Sequence, residues 1–350
     1  MPVMAERTNI RLLSRQQIRD LVEEMGQPRF RAGQLYQWIW QRGAAHFEEM
    51  TNLPKSLRTQ LAQRFVIPRI RLDKLTRSVD GTFKLRFRLH DDHLIESVLI
   101  PVAKDNRYTL CVSTQVGCSL HCTFCATGKM GLRRQLTVGE IVDQYVLVNR
   151  LCQEHYGHPV TNIVYMGMGE PLLNYKNTIE SIARIASPDG YHFSPRRITI
   201  STAGIAKQIR RLADDSPRVN LALSLHAADD FKRNEIMAIN ASNNLDALMA
   251  ALEYFAGKSK GHITFEYIML KDFNDTLEDA TRLAALCRRF PVKVNLIEYN
   301  PTGDGLFEKS AESRVNAFAA ALAAKRITVT VRRSRGRDID AACGQLANKR

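Results

Sequence analysis

From about residue 108 onward, short β-branched runs alternate with longer amphipathic stretches, and this alternation limits the possible folds more than any other feature of the chain. The runs YTLCVSTQ, VTNIVYM, RITIST, RVNLALSL, HITFEYIML and VKVNLIEY read as strands, with a possible last one at RITVTVR. Between them, TVGEIVDQYVLVNRLCQEHY, NTIESIARIA, LDALMAALEYFAG, TLEDATRLAALCRR and SRVNAFAAALAAK carry apolar residues at helical spacing. A strand that returns through a helix comes back parallel, so about six such units predict an α/β fold with a partial (βα)6-type TIM barrel. An open doubly wound sheet is the alternative, and spacing does not separate the two.

One strand shows how such a barrel would present its residues. In RVNLALSLHA, Leu221, Leu223 and Leu225 alternate with Asn220, Ala222, Ser224 and His226, which predicts leucines toward the helices and the small polar set toward the lumen. The same period sets Cys111, Ser113 and Gln115 on one face of the first strand, so Cys111 is expected to point inward.

Ahead of the barrel, RQQIRDLVEEM, GQLYQWIWQRG and PKSLRTQLAQRF predict a small basic helical domain over residues 1–75. Its Tyr36, Trp38 and Trp40 are expected to be core more than a base-stacking platform. Residues 76–103 alternate as a β-rich connector, the barrel follows over 104–337, and 338–350 forms a mobile tail. Lysine and arginine exceed the acidic residues by 50 to 36, a net charge of +14 that points to a polyanion such as nucleic acid. The segment MPVMAERTNIRLL has no apolar leader character and no long apolar run follows, so a cytoplasmic protein without membrane contact is expected.

Three of the seven cysteines, Cys118, Cys122 and Cys125, crowd into the loop after the first strand, where βα proteins place their active sites. Three thiolates at that spacing suit a [4Fe-4S] cluster with one iron left open, which can chelate a cofactor's amino and carboxylate groups. A zinc site completed by His121 or a distant histidine is the other reading. Cys152 and Cys287 lie on amphipathic stretches and read as small buried residues. The pairs Arg133–Arg134 and Arg332–Arg333, with Arg335 and Arg337, are candidate phosphate contacts or solvated faces.

The loop, with Phe124 before its last cysteine, resembles the CxxxCxφC signature of the radical S-adenosylmethionine superfamily. Gly167-Met168-Gly169-Glu170-Pro171 is similar to that superfamily's glycine-rich element contacting the methionine amino group. The resemblance implies cofactor contacts at Gly169, Glu170, Ser201, Ser224, Leu225, His226 and Asn300, most of them at strand ends. Taken alone, Ser201 reads equally well as a cap for a helix starting near Ala203.

QVGCSLHCTFCATGKMG, VYMGMGEPLLNY, STAG, LSLHA, IEYNP and DIDAACGQL together resemble the RlmN/Cfr family of RNA methyltransferases. That resemblance implies a relay in which one S-adenosylmethionine methylates Cys343 and a second is cleaved to a radical that takes hydrogen from the new methyl group. The carbon then adds to C2 of an adenine. Glu96 is implied as the proton acceptor, and Cys111 as the thiol that releases RNA by a transient disulfide with Cys343. The implied substrates are 23S ribosomal RNA and tRNA beside the anticodon, the implied electron donor is an external flavodoxin-type protein, and a monomer is expected. C8 methylation, as in Cfr-like enzymes, uses the same residues. A zinc-stabilised RNA-binding protein without catalysis is the reading from another class.

Overall fold

The computed structural model describes residues 7–215, 218–303 and 305–348, so the first six and last two residues of the expected domains lie outside it. Ten strands form its main sheet and follow one another across it in chain order. They are β1 (Arg71–Arg77), β2 (Phe83–Arg88), β3 (Leu94–Val102), β4 (Arg107–Cys111), β5 (Asn162–Tyr165), β6 (Ile198–Thr202), β7 (Asn220–Ser224), β8 (Ile263–Met269), β9 (Val292–Glu298) and β10 (Thr328–Arg332). β1 to β4 pair antiparallel, and β4 to β10 are all parallel. The last expected strand is therefore real: β10 pairs with β9 from Lys293↔Thr328 to Ile297↔Arg332.

Among the described residues neither β1 nor β10 has a second neighbour, so the ring they form is not closed by strand pairing. It is nevertheless strongly curled. Gly336, four residues past β10, donates its N–H to Asp80 in the turn between β1 and β2. Four residues reach roughly 14 Å at most, whereas a flat sheet of this width would hold those edges about 40 Å apart. A partial barrel, not a flat doubly wound sheet, satisfies both constraints.

The helices are α1 (Arg15–Glu24), α2 (Phe30–Trp40), α3 (Lys55–Arg64), α4 (Val138–Tyr156), α5 (Tyr175–Ala186), α6 (Ala206–Asp215), α7 (Asp230–Ile236), α8 (Leu245–Lys258), α9 (Leu277–Cys287) and α10 (Glu312–Ala324). Local chemistry fixes several of their ends. Thr137 and Glu140 form a reciprocal capping box that starts α4, and Gly157 at φ +64° ends it in the left-handed conformation. Thr276 and Asp279 start α9 in the same way. No described helix is long and apolar enough to cross a membrane.

The N-terminal helices are not a separate body. Leu35, Ile39 and Trp40 of α2 share one continuous core with Leu110, Ile163, Leu221 and Phe265 of the barrel strands. Tyr36 and Trp40 are core, as expected, while the half-buried Trp38 donates from Nε1 to Asn52 and lies under Arg42. Residue 75 falls inside β1, and β1 to β3 extend the barrel sheet itself, so the segment expected as a connector is structurally part of it.

A buried charge cluster fastens the helices to α4. Arg11 donates from both Nη atoms to the two carboxylate oxygens of Asp143, each at 2.8 Å, and Arg69 adds a bond of 2.6 Å. Burial opposes ionisation of Asp143, but the two guanidinium groups outweigh it and hold its pKa below the usual carboxylate range.

Candidate active site

Past Cys111 the chain rises into a loop closed by a two-residue ladder between Gln115–Val116 and Arg134–Gln135. Within it Cys118 N–H donates to Gly131 and Cys125 N–H to Cys122, which turns the three thiols of Cys118, Cys122 and Cys125 into one region. They are half-buried against Leu120, Phe124, Ile236, Met237 and Leu270. Burial pushes the Cys118 thiol up to about 11, and burial together with the neighbouring Cys125 and Cys118 pushes Cys122 upward too. Thiols that oppose one another's ionisation are neighbours, and metal binding is what drives off their protons.

Among the described residues no three His, Cys, Asp or Glu side chains converge tightly enough for a single metal ion. Zinc would need its thiolates about 2.3 Å from one shared ion, whereas a [4Fe-4S] cluster takes one thiolate on each of three irons. His121, the suggested zinc ligand, is exposed and stands at φ +50°.

The glycine-rich turn after β5 packs against the start of this loop. Met168 N–H donates to Ser113 Oγ at 2.8 Å and Glu170 N–H to Gln115 Oε1 at 2.7 Å. Contact is so close that a Cβ on Gly167 would lie 2.6 Å from Ser113 Oγ, and one on Gly169 2.4 Å from Gln115 Cβ. Gly169 also sits at φ +98°. Gly169→Ala therefore combines a clash with backbone strain and is expected to cost about 2–4 kcal/mol in urea unfolding. A loss under about 0.5 kcal/mol, the range of an ordinary surface change, would contradict this packing.

The buried Glu170 carboxylate accepts from Leu172 N–H at 3.0 Å and from Ala203 N–H at 2.7 Å. Burial lifts its pKa to about 7 despite those bonds. Glu170 thus ties the glycine turn to the loop after β6.

The remaining strand ends complete one mouth. Ser201 Oγ lies 3.4 Å from Ser224 Oγ, so it faces the neighbouring strand end and does not cap α6. His226, at φ +58°, is buried, accepts at Nδ1 from Ile268 N–H at 3.2 Å and meets Phe124 edge-on at 4.8 Å. Burial, with Arg233 nearby, lowers its pKa to about 3 and keeps it neutral. Asn300 Nδ2 donates to the Glu298 carbonyl at 3.3 Å and to that of Cys343 at 3.4 Å.

Sequence reasoning missed Arg233. It is fully buried on α7 and donates to the carbonyls of Leu225 (3.0 Å), Ala203 (2.5 Å) and Ser224 (3.3 Å) and to Asn240 Oδ1 (2.6 Å). One guanidinium thereby sets the ends of β6 and β7. An arginine in a short amphipathic segment reads as solvated, so no sequence signal marked it.

Cys111 is buried at the end of β4; burial and the nearby Cys343 push its pKa up. Cys343 is exposed at the mouth, but the surrounding protein still desolvates the thiol enough to raise its pKa, against the pull of Arg332 and with Glu266 and Cys125 adding to the rise. Cys343 thus stands within electrostatic reach of both Cys111 and the cluster cysteine Cys125.

The segment that carries Cys343 was expected to be mobile, and here it is docked. Gly344 accepts from Ala126 N–H at 2.7 Å, Leu346 from Thr127 Oγ1 at 2.6 Å, and Asp338 from Ser78 Oγ at 2.6 Å. Glu96 on β3, which reads from sequence as a solvated strand residue, is buried beneath it.

The basic runs offer less free charge than their count suggests. Arg134 is held by Asp91 (2.5 Å) and Glu140 (2.8 Å), Arg333 by Glu312 and Arg337 by Glu298. Arg332 lies 3.9 Å from Glu266. Phosphate contact by Arg134 is corrected accordingly: its fork is already filled.

Comparison with known proteins fits this arrangement. Residues 8–67 match the ribosomal RNA large subunit methyltransferase N-terminal domain, and residues 112–284 match the radical SAM superfamily. A probable dual-specificity RNA methyltransferase RlmN from Christiangramia forsetii is 48% identical, covering 99% of this chain and 98% of its own. One of the same name from Cytophaga hutchinsonii is 49% identical over 97% of this chain and 93% of its own. The crystal structure of a radical SAM methyltransferase from Sphaerobacter thermophilus superposes with a TM-score of 0.90 at 40% identity, covering 97% of this chain and 99% of that one. With a mouth of three loop thiols, a glycine turn and two further cysteines, and with relatives alike from end to end, the chain belongs to the RlmN family of radical S-adenosylmethionine RNA methyltransferases.

Proposed function

We propose that this enzyme makes 2-methyladenosine in 23S ribosomal RNA and in tRNA next to the anticodon, working in the cytoplasm as a monomer. The observation that carries the reading is the gathering of Cys343, Cys111 and the three cluster cysteines at one mouth, with Glu96 on the adjoining strand. C2 of adenine is electron-poor and offers no nucleophile to a methyl donor, so simple displacement is closed. Cys118, Cys122 and Cys125 would hold a [4Fe-4S] cluster, and together with bound S-adenosylmethionine it would supply the methyl group and the one-electron hydrogen acceptor. Gly169, Glu170, Ser201, Ser224, Leu225, His226 and Asn300 line the seat of that cofactor.

Cys343 takes the methyl group on sulfur. After that methyl loses a hydrogen atom, its carbon joins C2 and Cys343 is bonded to RNA. Glu96 accepts the C2 proton as the adduct gives up one electron, for which the oxidised cluster left after S-adenosylmethionine cleavage would be the acceptor. Cys111 then attacks the Cys343 sulfur: an S–S bond forms, the C–S bond breaks, and its electron pair stays on the carbon, which takes a proton as the methyl of the product. A flavodoxin-type donor supplies the electrons that start the reaction, and an external thiol reductant reopens the disulfide.

Only an unstacked base reaches such a mouth, so recognition depends on a splayed nucleotide more than on paired sequence. Mass spectrometry of nucleosides from treated RNA tests the regiochemistry. 2-Methyladenosine is expected; 8-methyladenosine alone would move the enzyme to the Cfr-like reaction. Anaerobic purification is expected to yield a brown protein with iron and labile sulfide, and a colourless zinc protein would overturn the radical reading.

A further inference from the structure

Glu96 must reach the target base, yet in this structure it is 1% exposed and its carboxylate is in use. Oε2 accepts from the backbone N–H of Ala347 at 3.0 Å and of Asn348 at 3.2 Å. Asn348 is pinned beside it, its Nδ2 donating to the Leu94 carbonyl at the start of β3 at 2.7 Å. On the other side Oε1 faces Lys84 Nζ at 3.6 Å, and the same ammonium donates to the Asp340 carbonyl at 3.4 Å. The chain's own tail thus sits where a substrate proton would have to arrive.

A cavity of about 220 Å³ opens on the Lys84 side, with Glu96, Lys74, Thr76, Arg86 and the stretch 338–340 around it. Strand register sets Glu96 across from Arg86 and Arg86 across from Lys74, with Arg86 Nε donating to Asp73 at 2.6 Å. Ligand pockets begin at roughly 300 Å³, so the cavity alone is too small for a nucleotide. Withdrawal of the tail from Oε2 would enlarge it from the other side of Glu96.

We propose that Ala347 and Asn348 occupy the seat of the target adenosine, so that RNA and the C-terminal tail compete for Glu96. The proposal rests on the RNA reading above. Cys343 lies on the same segment, a few residues upstream, and loses an anchor when 347–348 let go. The base and the methyl carrier are therefore released together, when a nucleotide takes the tail's place. Without RNA, Glu96 stays covered and the reactive thiol stays docked.

Hydrogen exchange of the C-terminal peptide in the full-length enzyme tests this, with an RNA hairpin carrying one unpaired adenosine as probe. Without RNA, the Ala347 and Asn348 amides should exchange slowly in the native enzyme and rapidly in Glu96→Ala. The adenosine hairpin should speed exchange, whereas a hairpin with uridine at that position should bind without doing so. Asn348→Ala loses the anchor to Leu94 and puts alanine at φ +54°, a left-handed backbone that asparagine tolerates better. It should bind the adenosine hairpin more tightly, by about tenfold if the tail is docked nine-tenths of the time. Continued slow exchange in saturating adenosine hairpin, release by both hairpins, or equal or weaker binding by Asn348→Ala would each overturn the proposal. If no hairpin bound the native enzyme, the RNA reading would fall and the proposal with it, while the RNA-free exchange would still report whether the tail rests on Glu96.

Discussion

Cys111→Ala is expected to turn the catalyst into a stoichiometric trap. The variant should still form the bond between Cys343 and C2, because nothing before that step uses Cys111, and then stop. Its steady-state turnover should fall by more than ~10³-fold, the scale seen when a catalytic nucleophile is lost. A slow-migrating RNA–protein band should build up on a denaturing gel to at most one equivalent of enzyme. Cys343→Ala should give neither product nor band, since the methyl carrier is gone. The contrast between the variants is the informative part: both abolish turnover, but only one accumulates the adduct. Free methylated RNA released by Cys111→Ala at the native rate would show that another group resolves the link.

Asp143→Ala should produce the largest loss of stability. It leaves Arg11 and Arg69 facing each other without a counter-charge, at a site where the Arg11 and Asp143 side chains are 2% and 4% exposed. Breaking a buried pair from one side costs about 3–5 kcal/mol, because the stranded charge remains buried. Urea unfolding at neutral pH should show that loss. The pH dependence follows from the depressed pKa of Asp143. Its contribution is complete above the unfolded value of about 3.9 and is lost as pH falls through the lower folded value. The gap between native protein and Asp143→Asn should therefore narrow in strong acid and stay constant from about pH 5 to pH 8. A gap that widened on acidification would mean the carboxylate is not held ionised by the two arginines.

The two predictions also mark where sequence was and was not a guide. The barrel was legible because its signal is local and repeated: each β-branched run and each amphipathic stretch can be recognised by itself, and six of the seven parallel strands lie within the runs drawn for them, β4 starting one residue early at Arg107. The inward set of β4 and β7 followed from a period of two. That β1 to β3 join the same sheet was not legible, since alternation shows that a segment is a strand but not what it pairs with. Arg11, Asp143 and Arg233 look like surface charges in sequence; only the folded chain supplies the distant partners that permit their burial. The reverse happened at Arg134, which looked free and is bound on both sides by Asp91 and Glu140. Glu96 combined both difficulties: the family resemblance marked it, but the amides that cover it come from the opposite end of the chain.

The two edges of the ten-stranded sheet are joined by the segment after β10, which touches the β1–β2 turn through Gly336 and Asp338 and β3 through Asn348. A ring completed by a handful of side-chain and loop bonds opens along its seam without parting any strand pair. Opening there costs a few loop bonds, so the seam is where this sheet would part first, before any of its ladders.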